Sequence, residues 1–174
     1  PVRAEAARIL GNAVFGEGDD TLEEAVGVLL AERRKTLAVA ESCTGGLISH
    51  LLTNVPGISA VLLEDIVAYS NEAKMDRLGV KEESLAADGA VSKRVAAEMA
   101  RGARKRSGAD FGLSTTGIAG PTGGSEEKPV GLVHFGCRTA DGTTLHQEMR
   151  FGALTRDEIR MKSVETAVAL LRRA

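Results

Sequence analysis

The chain has 174 residues, of which 43% are hydrophobic and 26% charged, and its formal net charge is −2. This composition is typical of one soluble globular domain, and the balanced charge excludes the basic face that binding of duplex nucleic acid requires. The sequence has no signal peptide and no apolar run of membrane-spanning length, which predicts a cytoplasmic protein without a membrane partner.

The N-terminal segment differs from the rest of the chain. Residues 1–20 begin without a methionine and end in a turn rich in glycine and aspartate, which indicates an N-terminal arm or interdomain linker. The domain itself is predicted over residues 21–174. It opens with the helix TLEEAVGVLLAERR, in which Thr21 and Glu24 have the spacing of a capping box.

Two strand-to-helix junctions follow this helix. The apolar run KTLAVA predicts a buried strand that ends at Ala40, and the segment GGLISHLLTN predicts a helix that stops before Pro56. The segment LEDIVAYS predicts a second strand. After it, NEAKMDRLG predicts a short helix with Asn71 as the N-cap and Gly79 as the C-terminal stop.

The second half of the domain continues this alternation. Ser92 is predicted to cap the helix SKRVAAEMARGARKRSG, which places the basic run RGARKRSG at a helix C-terminus, where cations are favourable. The strand ADFGLSTT and the loop GIAGPTGGSEEKP come next. The strands VGLVHFGC and TTLHQEMRF are then predicted to form a hairpin across Asp141 and Gly142. The final helix, TRDEIRMKSVETAVALLRR, opens with a capping box of Thr155 and Glu158.

Helices that alternate with short buried strands predict an α/β protein with the architecture of a three-layer α/β/α sandwich. The late hairpin makes the predicted sheet mixed. Ligands of open α/β sheets bind at the carboxyl ends of the strands. Four polar segments fall at such ends or at helix starts, namely ESCTGG, AYSNEAK, STTGIAGPTGG and TRDE. We therefore expect the functional site at this edge of the sheet.

The ESCTGG junction allows two interpretations. The Ser42 hydroxyl can cap the N–H groups of the following helix. It can also act as a nucleophile, with the N–H groups of Cys43, Thr44 and Gly45 stabilising an oxyanion. Cys43 is an alternative nucleophile, because a helix N-terminus would lower the pKa of its thiol. Either nucleophile needs a base, and His50, about 10 Å further along the helix, is too far away.

Lys74 is the candidate base. It falls at the third position of the predicted helix, where the positive helix end lowers the pKa of its ammonium by less than about one unit, so burial or a second cation must supply the rest. A solvated surface lysine is the alternative. Tyr69, the only tyrosine, is either a site residue or a half-buried strand residue. His134 and His146 are expected to be structural or exposed side chains of the hairpin, so no Ser-His-Asp arrangement is predicted.

Two features indicate a site for an anion. Arg156 lies in the first turn of the last helix, where a cation opposes the helix dipole and a bound phosphate would resolve the conflict. The alternative is an arginine turned into solvent. The loop that contains the candidate substrate-binding residues Gly117 and Gly120 can offer backbone N–H groups, although it lacks the Walker and GxGxxG spacings. Cys43 and Cys137 have no metal-ligand spacing, and we expect neither a metal nor a cofactor.

The segments AESCTGG, VAYSNEAK, GAVS and GIAGPTGGSEEKPVG, in this order and spacing, resemble the CinA C-terminal domain family, the nicotinamide-mononucleotide deamidases. The resemblance runs from Thr21 to Leu171. The opening GNAVFGEGDDTLEEAVGVLL also resembles the junction in two-domain CinA proteins, where a molybdopterin-binding-like domain precedes this one. It therefore implies an N-terminal partner domain in the full-length chain.

The resemblance implies a metal-independent amidohydrolase that converts nicotinamide mononucleotide to nicotinate mononucleotide and ammonia in pyridine-nucleotide recycling. By position, Ser42 matches the nucleophile, Lys74 the general base and Tyr69 a tyrosine near this dyad. Thr116 matches a site hydroxyl and Arg156 a substrate-binding arginine. The segment FGALTRDE before and around this arginine departs from the usual GDR pattern of the family.

Two other functions stay open. The domain can be a nucleotide-binding regulatory or assembly module with little or no hydrolysis, since fused domains sometimes keep a pocket and lose turnover. A DNA-related action follows from the competence association of the family name, but the balanced charge argues against direct binding. A homo-oligomer is expected, with no interface identified by the sequence.

Overall fold

The structure is a computed structural model, which describes residues 20–174 together with residues 5, 8, 15, 16 and 18. The predicted arm, residues 1–20, lies largely outside the described residues. The five strands are β1 (Leu37–Glu41), β2 (Leu62–Val67), β3 (Phe111–Gly117), β4 (Leu132–Arg138) and β5 (Thr144–Arg150). The six helices of the described part are α1 (Leu22–Glu32), α2 (Leu47–Leu52), α3 (Asn71–Leu78), α4 (Glu82–Asp88), α5 (Lys93–Ser107) and α6 (Arg156–Arg172).

The five strands form one mixed sheet in the order β2-β1-β3-β4-β5. Strands β1, β2 and β3 are parallel, whereas β4 runs antiparallel to β3 and to β5. The predicted mixed sheet and the predicted hairpin are therefore confirmed. The carboxyl ends of β1, β2 and β3 lie together with the amino end of β4 at one edge, which we call the carboxyl edge.

Helices cover both faces of the sheet, which confirms the predicted α/β/α sandwich. On one face, α1, α2 and α6 bury a core whose large side chains include Leu37, Leu113, Phe135 and Ile159. The other face carries α3 and α5 and is built from smaller side chains, among them Ala38, Ala40, Ala96 and Ala103. In the described part of the chain, no helix is long and apolar enough to cross a membrane.

The helix starts agree with the sequence analysis at three places and differ at one. Both capping boxes are present, Thr21 with Glu24 on α1 and Thr155 with Glu158 on α6. Ser92 caps α5, as predicted. The predicted N-cap Asn71 is wrong, because the hydroxyl of the preceding residue, Ser70, accepts the N–H of Ala73. Asn71 is thus the first helical residue, and Lys74 is the fourth residue of α3 rather than the third.

The sequence analysis did not single out α4 or the short 3₁₀ turn at Ile58–Ala60. Helix α4 has only seven residues, and its N-cap, Lys81, makes no side-chain capping bond. Its docking comes instead from α5, where the Glu98 carboxylate accepts hydrogen bonds from the Lys81 N–H and the Ser84 hydroxyl. A helix that is held by a neighbour lacks the local signals on which sequence analysis depends.

Helix α5 lies unusually close to its neighbours because glycines occupy the contacts. A Cβ added at Gly102 would lie 2.0 Å from the Leu78 carbonyl oxygen of α3, and one at Gly112 of β3 would lie 2.1 Å from the Ala100 carbonyl oxygen of α5. Both contacts are with backbone, which cannot move aside as a side chain can. The glycines therefore set the distance between α5, the sheet and α3.

We expect Gly102→Ala to lower the free energy of unfolding by about 1–3 kcal/mol, because the added methyl group forces α5 and α3 apart. Urea unfolding followed by circular dichroism measures this change. The control is Arg101→Ala, on the exposed side of the same helix, which is expected to stay within about 0.5 kcal/mol of the wild type. Equal stability of Gly102→Ala and wild type would contradict the packing argument.

Candidate functional site

The ESCTGG segment forms a tight turn at the carboxyl edge, directly after β1. Residues 42–46 lie in the turn, and α2 begins only at Leu47. Gly45 and Gly46 have φ values of +62° and +94°, a region that glycine adopts far more readily than other residues. The N–H groups proposed for the oxyanion therefore belong to a turn rather than to the helix itself.

The first N–H groups of α2 bind a carboxylate rather than a hydroxyl. Glu41 is fully buried, and its side chain accepts hydrogen bonds from the N–H groups of Gly46, Ile48 and Ser49 at 2.9, 3.2 and 3.1 Å. This arrangement combines helix capping with a favourable charge at a helix N-terminus. The capping interpretation of Ser42 is wrong, because Glu41 satisfies these donors and leaves the Ser42 hydroxyl for other contacts.

The Ser42 hydroxyl faces a buried lysine. Lys74, on α3, is 1% exposed, and its Nζ lies 3.2 Å from Ser42 Oγ. The ammonium nitrogen also donates to the carbonyl oxygens of Ala68 and Tyr69 at 2.9 and 3.2 Å. The surface interpretation of Lys74 is thus wrong. The two junctions predicted from sequence meet at this pair.

The surroundings of Lys74 favour its neutral form. Burial lowers the pKa of this amine below its usual range. The carbonyls of Ala68 and Tyr69 fix two N–H bonds whether or not the amine is protonated. The contact with Ser42 is the one that changes direction, because a neutral Nζ can accept the Oγ hydrogen and an ammonium must donate one.

Cys43 is not suited to act as the nucleophile. The expected lowering of its pKa by a helix N-terminus is wrong, since burial raises the pKa of the Cys43 thiol to about 12. The side chain is 5% exposed and belongs to the apolar core beneath α2. A thiol in this state is protonated at neutral pH and therefore unreactive.

Three more of the candidate residues form a chain of contacts beside the dyad. Arg156, the first residue of α6, donates from Nη1 to the Gly120 carbonyl oxygen at 2.7 Å and from Nη2 to the Tyr69 hydroxyl at 3.1 Å. The same Tyr69 gives its backbone carbonyl oxygen to Lys74. Its side chain is 63% exposed, so the interpretation as a half-buried strand residue is wrong. Arg156 is exposed, but its guanidinium is held against the glycine loop by these two hydrogen bonds instead of extending freely into solvent.

The remaining candidate site residues also lie at the carboxyl edge, but their hydrogen bonds are with residues outside the Ser42–Lys74 pair or within the turn. The Thr116 hydroxyl, at the end of β3, donates to the Ala90 carbonyl oxygen at 2.8 Å, and Gly117 pairs with Val133 of β4. The Gly45 N–H donates to the Ser42 carbonyl oxygen at 3.1 Å. The roles of these residues toward a ligand stay predictions.

Sequence reasoning missed three residues that hold the turn. Besides Glu41, these are Thr115, whose hydroxyl lies 2.8 Å from the Thr44 hydroxyl, and Arg160, which donates to the Thr44 carbonyl oxygen at 2.9 Å. Arg160 stands one helical turn after Arg156, so α6 contacts the site through both arginines. This spacing of four was visible in the sequence and was the signal that could have found Arg160.

Other features of the described residues lie outside this constellation. His134 Nδ1 and His146 Nε2 are 3.1 Å apart in the hairpin, and burial lowers the pKa of both imidazoles. A groove of about 1190 Å³ beside α1 and α6, with Leu22 and Met161 in its lining, contains none of the candidate site residues. Among the described residues, no three His, Cys, Asp or Glu side chains could hold a metal ion together.

The sequence of the chain is similar to those of known proteins. The family model described as CinA C-terminal domain matches residues 19–174. A putative competence-damage inducible protein of Clostridium perfringens is 50% identical over 173 residues, and one of Moorella thermoacetica is 53% identical over 165 residues. These alignments cover 99% and 95% of this chain but 42% and 39% of the relatives. The chain thus spans about two fifths of the length of these relatives.

Solved structures share the fold. The competence/damage inducible protein CihA of Agrobacterium tumefaciens matches with a TM-score of 0.84 at 44% identity, covering 91% of this chain and 98% of that one. A competence-damaged protein (CinA) superfamily protein of Escherichia coli matches with a TM-score of 0.81 at 32% identity, covering 94% and 97%. The mixed five-stranded sheet and its helices therefore occur in proteins of this family.

Proposed function

Because the chain belongs to the CinA C-terminal domain family, we propose that it hydrolyses the carboxamide of nicotinamide mononucleotide to nicotinate mononucleotide and ammonia. The observation that carries the proposal is the contact of Ser42 Oγ with the buried Lys74 Nζ, at 3.2 Å. A serine paired with an amine whose pKa is lowered by burial is an activated nucleophile. The reaction needs only these two side chains as nucleophile and base, so it uses neither a metal nor a cofactor.

In the first half of the reaction, neutral Lys74 takes the Oγ proton while Ser42 attacks the carboxamide carbon. The resulting oxyanion is stabilised by N–H groups of the turn, those of Cys43 and Thr44. Lys74, now an ammonium, donates its proton to the departing nitrogen, and ammonia leaves. The product of this half is an acyl-enzyme, in which the carbonyl carbon is bonded to Ser42 Oγ.

In the second half, Lys74 takes a proton from water while the water oxygen attacks the acyl carbon. The tetrahedral intermediate collapses, the bond to Oγ breaks, and the Lys74 ammonium returns its proton to Ser42. The nicotinate product and the neutral amine are released. The two backbone carbonyls at Lys74 support both protonation states, because each accepts one N–H throughout the cycle.

We place the phosphate of the substrate at Arg156 and the glycine loop. The guanidinium is held by the Gly120 carbonyl and the Tyr69 hydroxyl, and it retains further N–H groups for an anion. A fixed arginine loses little side-chain entropy when it binds phosphate. Thr116 and Gly117 are proposed to line the same part of the site, on the strand next to β1.

Ammonia release from nicotinamide mononucleotide tests the proposal. Purified protein is expected to release one ammonia per nicotinate mononucleotide formed, and both products are measured in the same reaction. Nucleotide binding without any ammonia release would instead favour the regulatory or assembly module. We also propose an N-terminal partner domain in the full-length chain and a homo-oligomer. Neither contributes a residue to the reaction described above.

Arg156→Ala is expected to raise KM for nicotinamide mononucleotide by about 10-fold to 100-fold with a much smaller change in kcat, since it removes charge-assisted hydrogen bonds to a non-reacting phosphate. Nicotinamide riboside, which lacks the phosphate, serves as the second substrate. Its kcat/KM is expected to change little. A matched control is Lys162→Ala, which removes an exposed cation from the same helix. Equal losses with both substrates would contradict a phosphate contact.

A further inference from the structure

A second carboxyl group, half-buried, lies beside the fully buried Glu41. Asp65, in the middle of β2, pairs in register with Val39, and Glu41 lies two residues further along β1. Since side chains of a strand alternate, Asp65 and Glu41 lie on the same face of the sheet, the face covered by α2. Asp65 Oδ1 and Ser49 Oγ of α2 are buried there without a hydrogen-bond partner among the described residues.

A half-buried carboxylate next to a fully buried one is unfavourable unless one of the two carries a proton. Glu41 already accepts three backbone N–H groups, which suits an anion. A proton on Asp65 turns its carboxyl group from an acceptor into a donor, with the Glu41 carboxylate and the Ser49 hydroxyl at hand as acceptors. One proton on Asp65 thus removes the charge repulsion and also allows the hydrogen bond that Asp65 lacks.

We propose that Glu41 and Asp65 form a carboxyl pair that shares one proton and that this pair positions the turn carrying Ser42. Glu41 fixes the turn from below, through the helix N–H groups on one side and its peptide bond to Ser42 on the other. Thr115 and Arg160 fix Thr44 at the far side of the turn. Glu41 and Asp65 are positioning residues, since neither touches the proposed substrate.

The pair has a definite effect on stability. Burial and the neighbouring Glu41 carboxylate raise the pKa of Asp65 from its ordinary value of 3.8 to about 7. Glu41 on β1 is the titratable group that faces Asp65, and α2 contributes the Ser49 hydroxyl. Glu64 of β2 points to the opposite face of the sheet, where it pairs with Arg106 of α5. Between these two pH values Asp65 binds a proton in the folded chain that it has lost in the unfolded chain, so its contribution to stability falls as pH rises from about 4 to 7.

Thermal unfolding of the intact chain at pH values from 5 to 8.5 tests the pair without using the proposed function. Asp65→Asn cannot lose a proton, so its Tm is expected to exceed that of the wild type by ~5 °C at pH 8.5 and to approach it near pH 5. Glu64→Gln, one residue away on the opposite face, is the matched control and is expected to follow the wild type. Parallel curves for wild type and Asp65→Asn would overturn the proposal.

Glu41→Gln provides a second variant. Without the neighbouring charge, Asp65 is expected to titrate nearer its ordinary value, and the fall of Tm between pH 5 and 8.5 becomes smaller than in the wild type. An unchanged slope would overturn the shared proton. Its kinetic effect rests on the proposed function: kcat for nicotinamide mononucleotide is expected to drop by about 10-fold or more, with KM nearly unchanged.

The two readouts separate the possible failures. If the wild type and Glu64→Gln release no ammonia, the proposed function fails, while the Tm curves still decide on the carboxyl pair. If both release ammonia and Glu41→Gln retains full kcat, the positioning role is refuted even though the proton is shared. A loss of kcat that remains after normalisation to the amount of folded protein, measured by circular dichroism, supports positioning, whereas a loss that disappears on normalisation reflects a structural defect and refutes the positioning role.

Discussion

Replacing Ser42 by alanine is expected to lower kcat for nicotinamide mononucleotide by at least about 10⁴-fold, because the variant has no atom that can form the acyl-enzyme. KM is expected to change little, since the hydroxyl contributes to bond formation rather than to binding of the nucleotide. Ammonia release under saturating substrate gives kcat. Alanine fits the space of Ser42, so the fold and the contacts of Lys74 with Ala68 and Tyr69 remain.

Cys43→Ala is the matched control for this variant. The thiol is buried and its pKa is raised to about 12, so it takes no part in the reaction as derived. We expect kcat to stay within about threefold of the wild type, with a loss of roughly 1 kcal/mol in the free energy of unfolding from the smaller core side chain. If Ser42→Ala keeps its activity and Cys43→Ala loses it, the nucleophile has been misassigned.

Lys74→Met is expected to lower kcat by about 10²-fold to 10⁴-fold, because methionine replaces the stem of lysine up to Cε but has no amine to accept a proton. Lys74→Arg should not restore activity, since a guanidinium stays protonated at any pH at which the protein is folded. In the wild type, kcat/KM is expected to rise with pH as Lys74 becomes neutral, and this rise begins below the ordinary pKa of lysine because burial lowers it. The residual activity of Lys74→Met should lack this dependence.

The same substitution is expected to change the pH dependence of stability. Since the pKa of Lys74 is lower in the folded than in the unfolded chain, the unfolded chain binds more protons between the two values, and stability rises with pH in that range. At pH 7 the wild type therefore carries a penalty that Lys74→Met lacks. We therefore expect the Tm of the wild type to rise relative to that of Lys74→Met as the pH increases from 7 towards 10.

The double variant distinguishes a working dyad from two independent residues. If Ser42 and Lys74 act in one step, Ser42→Ala combined with Lys74→Met loses about as much kcat as Ser42→Ala alone. Multiplicative losses would mean that Lys74 acts on something other than the Ser42 proton. A Tm difference between Lys74→Met and the wild type that stays constant from pH 7 to 10 would contradict the burial argument, whatever the kinetics.

Local signals in the sequence were sufficient for most of the fold. The capping boxes at Thr21 and Thr155, the apolar run before Ala40 and the turn at Asp141 and Gly142 depend on neighbouring residues alone, and the structure contains each of them. Asn71 and Ser70 are both good N-cap residues, so the sequence could not decide between them. Their assignment depends on where the backbone leaves β2, which is set by the sheet.

The sequence could predict that the two strand-to-helix junctions come together at the candidate site. It could not predict the burial of the charged side chains there or the resulting pKa shifts. The carboxyl ends of neighbouring parallel strands meet by topology, which is why Ser42 and Lys74 come together across 32 residues of sequence. Whether Lys74 is buried depends on packing between α3, β1 and β2, which no local pattern records. For the same reason Asp65 could not be recognised as a partner of Glu41, since their proximity arises from strand register.

The contacts around the dyad draw on both helical layers. Ser42 follows β1, an inner strand of the sheet, and its turn is held by α2 and α6 on one face, whereas Lys74 comes from α3 on the other face. The sheet with α1, α2 and α6 alone lacks Lys74, and the sheet with α3 and α5 alone lacks Arg156. Neither combination therefore contains the nucleophile, the base and the arginine together. The proposed reaction thus requires both helical layers on the sheet at once, and we expect a chain in which one layer has left the sheet to have no partial activity.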